Sequence, residues 1–192
     1  MKGLFFSLVL LNRLAESVYK NVLCDKVLPL PGSILKVALL MNPVDSACHT
    51  GIYVGNNRIV EMTNDGGAGI IQEVTPRHFL SYSLYRTGVF IYVACGRKDG
   101  KYYPLADPET AERALKAVGD RTKYNILLDN CHLFTEYCIA GSCDSPIGTL
   151  KGIEKALVKK HRLAEASGGG HRHSPVRWMS TGVSLNDSFP DR

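Results

Sequence analysis

Two β-branched runs around a short turn constrain the fold of this chain more than any other feature. The first run is Cys-His-Thr-Gly-Ile-Tyr-Val at 48–54, the second is Arg-Ile-Val-Glu-Met at 58–62, and Gly-Asn-Asn separates them. This pattern is typical of a β-hairpin. Antiparallel pairing is therefore expected in the core, and the apolar runs at 33–40, 70–74 and 88–95 are predicted to supply further strands.

The length of the hairpin loop decides which face of the hairpin carries Glu61. A two-residue loop at 56–57 turns Glu61 away from His49, because side chains alternate between the faces of a strand. A three-residue loop at 55–57 with a bulge pairs Glu61 with Gly51 and places it on the His49 face. We predict the three-residue loop, since it keeps the charged Glu61 on the polar face.

A helix is predicted to begin at Cys131. Asp129 and Asn130 are both strong N-cap residues, the apolar residues that follow recur at helical spacing, and Gly141 is placed to end the helix. Unpaired N–H groups and the positive end of the helix dipole favour an anion in the first turn, and a thiolate is such an anion. At this point a buried Cys131 that packs as a small apolar residue remains the alternative.

The remaining pattern predicts an α+β fold in which helices pack on a small antiparallel sheet. Helices are expected at 75–80, 107–118 and about 149–165. The catalytic domain is expected to span 29–166, followed by a basic flexible tail at 167–192 in which Val176-Arg177-Trp178 can dock back. Residues 1–28 are predicted to form an amphipathic helix that docks on the domain or lies in a membrane interface, with a cleaved signal as the alternative.

Composition limits the classes of partner. The 192 residues suit a single domain, and the net charge of +5 is concentrated in a basic helix and the tail. No basic run is interleaved with aromatic residues, so nucleic-acid binding is not expected. The six cysteines lack the spacing of a disulfide framework or a zinc site, which fits a reducing compartment, and a zinc site built from Cys48, His49, Cys131 and His132 is the weaker alternative.

Cysteine, histidine and a polar third residue together form a thiol-nucleophile set. Cys131 would attack, His49 would take and return the proton, and Glu61 would orient the imidazole. The Cys131 N–H and Tyr53 are candidate oxyanion donors, with Asn130 positioning the thiol. The plainer alternatives are a core histidine, a packed tyrosine and a surface glutamate. His132 is expected to be structural, because the next residue of a helix points about 100° away.

These two stretches resemble the lecithin:retinol acyltransferase-like family, the circularly permuted branch of the NlpC/P60 papain-like cysteine hydrolases, and are closest in phrasing to its bacterial members. The resemblance covers residues 29–140 and rests on the His-Thr-Gly-Ile-Tyr-Val-Gly hairpin and the Asn-Cys-His-Leu-Phe box. It implies Cys131 as nucleophile, His49 as base and Glu61 as third member. The animal acyltransferases carry histidine at the position of Glu61 and Asn-Cys-Glu-His-Phe in the box.

The resulting expectation is a cysteine-dependent hydrolase or acyltransferase that forms a thioester acyl-enzyme, acts on acyl lipids and needs neither cofactor nor metal. Residues 4–23 would supply peripheral membrane contact, and the protein would be cytoplasmic or peripheral at the inner membrane. Two alternatives stand beside it. One is an amidase or peptidase that acts on cell-wall peptide, and the other is an inactive, membrane-associated binding module.

Overall fold

Eight strands of one antiparallel sheet and four helices make up the regular structure of the described residues. A computed structural model describes residues 25–39, 48–81, 86, 90–123, 130–142, 148–163, 174–184 and 188–189. The predicted α+β class is confirmed. The elements are β1 (Ile34–Ala38), β2 (Cys48–Gly55), β3 (Arg58–Asp65), β4 (Ala68–Val74), α1 (Pro76–Ser81), β5 (Tyr92–Lys98), β6 (Lys101–Pro104), α2 (Pro108–Lys116), β7 (Arg121–Lys123), α3 (Cys131–Ala140), α4 (Leu150–His161) and β8 (Arg177–Ser180).

The sheet places the predicted hairpin near its centre. Strand order is β6–β5–β1–β2–β3–β4–β7, and β8 pairs with β5 beside this path. All these pairings are antiparallel. β2 and β3 each pair with a strand on both sides, so neither is an edge strand of the sheet. The positions of their residues are therefore well fixed.

The hairpin has the predicted register but reaches it with a different turn. Glu61 pairs with Gly51, as expected for the His49 face. The loop itself has two residues, 56–57, both with positive φ, and it is closed by a pair between Gly55 and Arg58. The extra residue lies in a bulge just before Gly55, whose φ of +93° suits glycine. The predicted three-residue loop is therefore wrong, and the bulge alone sets the register.

The alternation along the strands divides the core into two clusters. Ile34 and Ile52 pack with apolar residues of α2, α3 and α4, whereas their neighbours Leu35 and Tyr53 pack with α1 and β5. Successive strand residues point to opposite faces. Both faces of the central strands are therefore covered, which explains why their sequences are apolar on both sides.

The described part of the C-terminal segment is integrated into the domain. β8 pairs with β5, and Trp178 Nε1 donates a 2.9 Å hydrogen bond to Glu154 of α4. Val176, Val183 and Phe189 are buried. The flexible tail predicted at 167–192 is therefore wrong for residues 174–184 and 188–189, whose apolar side chains belong to the core. The alternative, in which Val176-Arg177-Trp178 docks back on the domain, describes this segment.

The N-terminal prediction lies mostly outside the described residues. Residues 25–28 are irregular rather than helical, and the Val27 N–H donates to the Ser180 carbonyl at 3.0 Å. Residues 4–23, the predicted membrane contact, are not described. None of the helices that the structure describes is both long enough and apolar enough to span a bilayer.

Candidate active site

The Asn130 side chain fixes the start of α3 and so the position of Cys131. Its Oδ1 accepts the His132 and Leu133 N–H groups at 2.9 and 3.0 Å, and its Nδ2 donates to the Gly148 carbonyl at 3.2 Å. This is the predicted N-cap, and the helix ends as predicted at a left-handed Gly141. Cys131 is therefore the first residue of the helix, where its N–H has no acceptor within the helix.

Two buried threonines attach this first turn to β2. Thr135 Oγ1 donates to the Cys131 carbonyl at 2.8 Å, and Thr50 Oγ1 donates to the same oxygen at 3.3 Å. The two hydroxyls are also 3.1 Å apart. Because a buried hydroxyl is costly without a partner, this set fixes the distance between the helix start and the strand that carries His49.

His49 and Glu61 meet as the register predicts. His49 Nε2 lies 2.7 Å from Glu61 Oε2, and the two residues are 6% and 0% exposed. An ionised carboxylate only accepts, so Nε2 carries the hydrogen. His49 also lies close enough to Cys131 for each group to shift the pKa of the other. With Nε2 engaged by Glu61, Nδ1 is the nitrogen left for the thiol.

Arg86 and Gln72 complete the surroundings of Glu61. Arg86 Nη1 lies 2.9 Å from Glu61 Oε2 and donates to the Phe79 carbonyl at 2.9 Å, while Gln72 Nε2 donates to Glu61 Oε1 at 3.0 Å. Arg86 Nη2 is 3.1 Å from His49 Nε2. Both of these nitrogens are donors when Glu61 is ionised, so Glu61 Oε2 accepts from His49 Nε2 and from Arg86 Nη1, while Arg86 Nη2 only lies beside the imidazole.

The charges of the cluster stabilise one another. Burial opposes ionisation of Glu61, but His49, Arg86 and Gln72 outweigh it and lower its pKa to about 2. Burial lowers the pKa of His49, yet the charges and hydrogen bonds of Cys131 and Glu61 leave it raised. Burial raises the pKa of the Cys131 thiol, but His49 and His132 bring it well below the ordinary value. A thiolate–imidazolium pair follows from this arrangement.

His132 contacts the thiol, contrary to the expectation that it points away. Its Nδ1 lies 3.5 Å from Cys131 Sγ and its Nε2 lies 3.5 Å from Cys48 Sγ. The expectation failed because it considered only the helical angle of about 100° between neighbours. His132 is the second residue of α3, where no preceding turn occupies the space, so the ring folds back over the helix start.

Tyr53 is not among the residues that the structure brings to Cys131. Its ring packs edge-on against Phe189 with 4.9 Å between centroids, and it belongs to the cluster that contains Leu35 and Ile59. Tyr53 is therefore a packed core tyrosine, which was the alternative to its role as an oxyanion donor. The Cys131 N–H at the start of α3 stays a candidate oxyanion donor.

Metal ligation has no geometric support in the described part of the chain. No group of three or more His, Cys, Asp or Glu residues there is arranged to hold an ion. Cys48, Cys95, Cys131 and Cys138 are free thiols.

Sequence reasoning missed Gln72, Arg86 and the contact made by His132. Gln72 could have been found, because β3 and β4 join at a tight turn and Gln72 lies directly across from Glu61. Arg86 carries no local signal, since it reaches Glu61 from outside the named strands, through a bridge with Leu39.

Comparison with known proteins identifies the family of this chain. The family model described as lecithin retinol acyltransferase matches residues 31–144. The chain is 30% identical over 134 residues to lecithin retinol acyltransferase of Bos taurus, which covers 59% of this chain and 58% of that protein. It is 27% identical over 97 residues to phospholipase A and acyltransferase 2 of Homo sapiens, covering 46% and 60%.

The chain thus spans about three fifths of the length of each of these two relatives. Two finer points stay predictions: that the fold is a circular permutation of the NlpC/P60 fold, and that this sequence is most similar to bacterial members of the family. The matched range contains both the His49 hairpin and the start of the Cys131 helix. The chain therefore belongs to the lecithin retinol acyltransferase family.

Proposed function

We propose that this protein transfers or hydrolyses the acyl group of a lipid through a thioester on Cys131. The observation that carries the proposal is the buried cluster of Cys131, His49 and Glu61, in which His49 hydrogen-bonds Glu61 at 2.7 Å and the charges of His49 and Cys131 shift each other's pKa. The names of the two relatives, an acyltransferase and a phospholipase A with acyltransferase activity, support the lipid class.

In the first half-reaction the Cys131 sulfur attacks the carbonyl carbon of the acyl ester. The C–S bond forms while the carbonyl oxygen takes up negative charge, which the Cys131 N–H at the helix start would stabilise. His49 then gives its proton to the departing alkoxide as the C–O bond breaks. A thioester and a free alcohol result.

In the second half-reaction water, an alcohol or an amine attacks the thioester. His49, now neutral, takes the proton of the acceptor, and the C–S bond breaks with its electron pair returning to sulfur. Glu61 stabilises the imidazolium each time it forms, at a cost reduced by Arg86. The cycle uses no cofactor.

Intact-mass spectrometry tests this proposal. The protein is incubated separately with phosphatidylcholine vesicles, with fatty-acid amides and with muropeptides, and then measured for a covalent adduct. We expect an acyl adduct from the lipid that Cys131→Ala abolishes and Cys138→Ala retains. Cys138 is a matched control, because it lies in the same helix and burial raises its pKa to about 12.

The other outcomes each contradict the proposal in a distinct way. An adduct from the muropeptide alone would identify an amidase or peptidase. A thiol that forms no adduct and alkylates no faster near neutral pH than Cys138 would indicate an inactive binding module. A lipid adduct that persists in Cys131→Ala would place the nucleophile elsewhere.

An acyl-lipid substrate also requires contact with a bilayer, for which we propose residues 4–23. Their apolar residues, which include Leu8, Leu11 and Val18, recur at the spacing of one helical face. Co-sedimentation with vesicles is expected for the full chain and to be lost on deletion of residues 2–23. Equal sedimentation of both chains would refute this role.

A further inference from the structure

The His132 ring joins the Cys131 sulfur to a second thiol. Its Nδ1 is 3.5 Å from Cys131 Sγ and its Nε2 is 3.5 Å from Cys48 Sγ. We propose that His132 is a second imidazole of the active site, which donates a hydrogen bond to the Cys131 sulfur and holds it as a thiolate independently of His49.

Both ends of His132 are anchored. Its main-chain N–H donates to the Asn130 cap, and its ring nitrogens face sulfur on both sides. A neutral ring has one donor and one acceptor. When Cys131 is a thiolate, which only accepts, the hydrogen of a neutral ring lies on Nδ1 and the Cys48 thiol donates to Nε2, whereas a protonated ring donates to both sulfurs. In either state Cys131 receives an N–H.

The two imidazoles reach the sulfur by different routes. Cys48 and His49 are successive residues of β2 and therefore point to opposite faces of the strand. His49 is buried against Phe79, with ring centroids 5.3 Å apart, while His132 is half-buried. Loss of one imidazole thus leaves the anchoring of the other in place.

The charged groups around His132 support the same assignment. Among the described residues, Cys131 and Cys48 are the titratable groups that act on its ring, and His49 acts on the Cys131 sulfur as well. Burial lowers the pKa of His132, but hydrogen bonds and charge from the two cysteines outweigh it and raise the pKa to about 10. His132 is therefore protonated near neutral pH, where its ring donates to the Cys131 sulfur.

This inference rests on the proposed role of Cys131 as nucleophile and assigns the two histidines different tasks. His49 carries the proton between leaving group and acceptor. His132 remains a donor to sulfur, so that the thiolate is a better leaving group when the thioester is cleaved. The arrangement favours the second half-reaction, in which the C–S bond breaks.

Alkylation of Cys131 by iodoacetamide tests the inference without any lipid. The rate is followed by intact mass between pH 5 and 9, with Cys131→Ala giving the background of the other five thiols. His132→Asn and His132→Gln form the critical pair, because the asparagine amide reaches the Nδ1 position and the glutamine amide reaches the Nε2 position. Thermal unfolding by circular dichroism checks that each variant is folded.

We expect His132→Gln to alkylate about tenfold more slowly than wild type at pH 6, since one unit of thiol pKa is tenfold in thiolate fraction. His132→Asn should lie between them. His49→Asn should retain part of the low-pH alkylation, and the His49→Asn/His132→Gln double variant should lose it. His161→Gln removes a histidine of α4 and should match wild type.

Three results would overturn the inference: a wild-type rate in His132→Gln, equal rates in the asparagine and glutamine variants, or complete loss of low-pH alkylation in His49→Asn alone. Failure of the proposed function is separable. A lipid adduct with no effect of His132 would refute only the second imidazole. Slow alkylation in His132→Gln with no acyl adduct would refute only the acyl transfer.

A spectroscopic measurement on the folded protein gives an independent check. Long-range proton–nitrogen correlation of ¹⁵N-labelled histidine rings reports the protonation of each ring. We expect the titration of His132 to move to lower pH in Cys131→Ala, because the thiolate that raises the pKa of His132 is gone. An unchanged His132 titration would show that the ring does not interact with the sulfur.

Discussion

Replacement of Glu61 by glutamine probes the charge balance of the site. Glu61 is fully buried, and its Oε2 lies within 2.9 Å of both His49 Nε2 and Arg86 Nη1. Glutamine keeps the shape and one acceptor but removes the charge. Arg86, itself 6% exposed, would then be a buried cation without its carboxylate.

The size of the effect follows from two separate arguments. Removing one partner of a buried ion pair typically costs about 3–5 kcal/mol, because the other charge stays buried. Lowering the pKa of Glu61 from 4.5 to about 2 corresponds to about 3 kcal/mol of stability. We therefore expect Glu61→Gln to lower the free energy of unfolding by about 3 kcal/mol or somewhat more.

The sign of the pH dependence is also fixed. A carboxylate with a lowered pKa stabilises the fold above its unfolded value, and this stabilisation is lost as the pH falls from 4.5 towards 2. Glu61→Gln should therefore lose less stability than wild type across that range. The measurement is urea unfolding by circular dichroism at pH 7 and at steps down to pH 2.

Glu73→Gln is the matched control, because Glu73 forms a partly exposed pair with Arg58 at 3.0 Å. Such pairs contribute about 0–1 kcal/mol. Glu61→Gln/Arg86→Met should be more stable than the sum of the single changes predicts, since no unpaired charge remains. A cost for Glu61→Gln no larger than that for Glu73→Gln would refute this account, as would strict additivity in the double variant.

Three further changes test the framework of the site, each by urea unfolding. Asn130→Ala should cost about 1–2 kcal/mol through loss of the N-cap, and Asn130→Asp should retain most of the stability. Gly51→Ala should cost about 1–3 kcal/mol, because a Cβ there would lie 2.9 Å from side chains of β3 and α1. Trp178→Phe should cost about 1 kcal/mol through loss of the bond to Glu154 if the C-terminal segment is part of the domain.

The features predicted correctly from sequence depend on neighbours along the chain. The Asn130 cap, the left-handed Gly141 and the helix between them follow from residues within one or two turns. The pairing of Glu61 with Gly51 follows from a hairpin whose strands are adjacent in sequence. The length of the hairpin loop was nevertheless predicted wrongly, as three residues instead of two. A bulge and a longer loop each change the register by one residue, so the register alone does not distinguish them.

The features that were missed depend on contacts between distant segments. β8 pairs with β5 across about eighty residues of sequence, and its short Arg-Trp-Met-Ser run has no strong strand pattern. Arg86 belongs to the site only because the folded chain brings it to Glu61, 25 residues earlier in the sequence. Local periodicity carries no information on such pairs.

The presence of Glu61, where the animal acyltransferases carry histidine, gives Arg86 a reason to be buried. A neutral imidazole at position 61 would accept a hydrogen bond from His49 and would need no counter-charge. A buried carboxylate does need a counter-charge, and Arg86 supplies it at 2.9 Å. Glu61→His alone should therefore destabilise the fold, because the buried Arg86 loses the carboxylate at 2.9 Å. Glu61→His/Arg86→Met should regain stability in urea unfolding and alkylate Cys131 faster at pH 6 than Glu61→His. A double variant no better than Glu61→His would show that the two residues are not coupled.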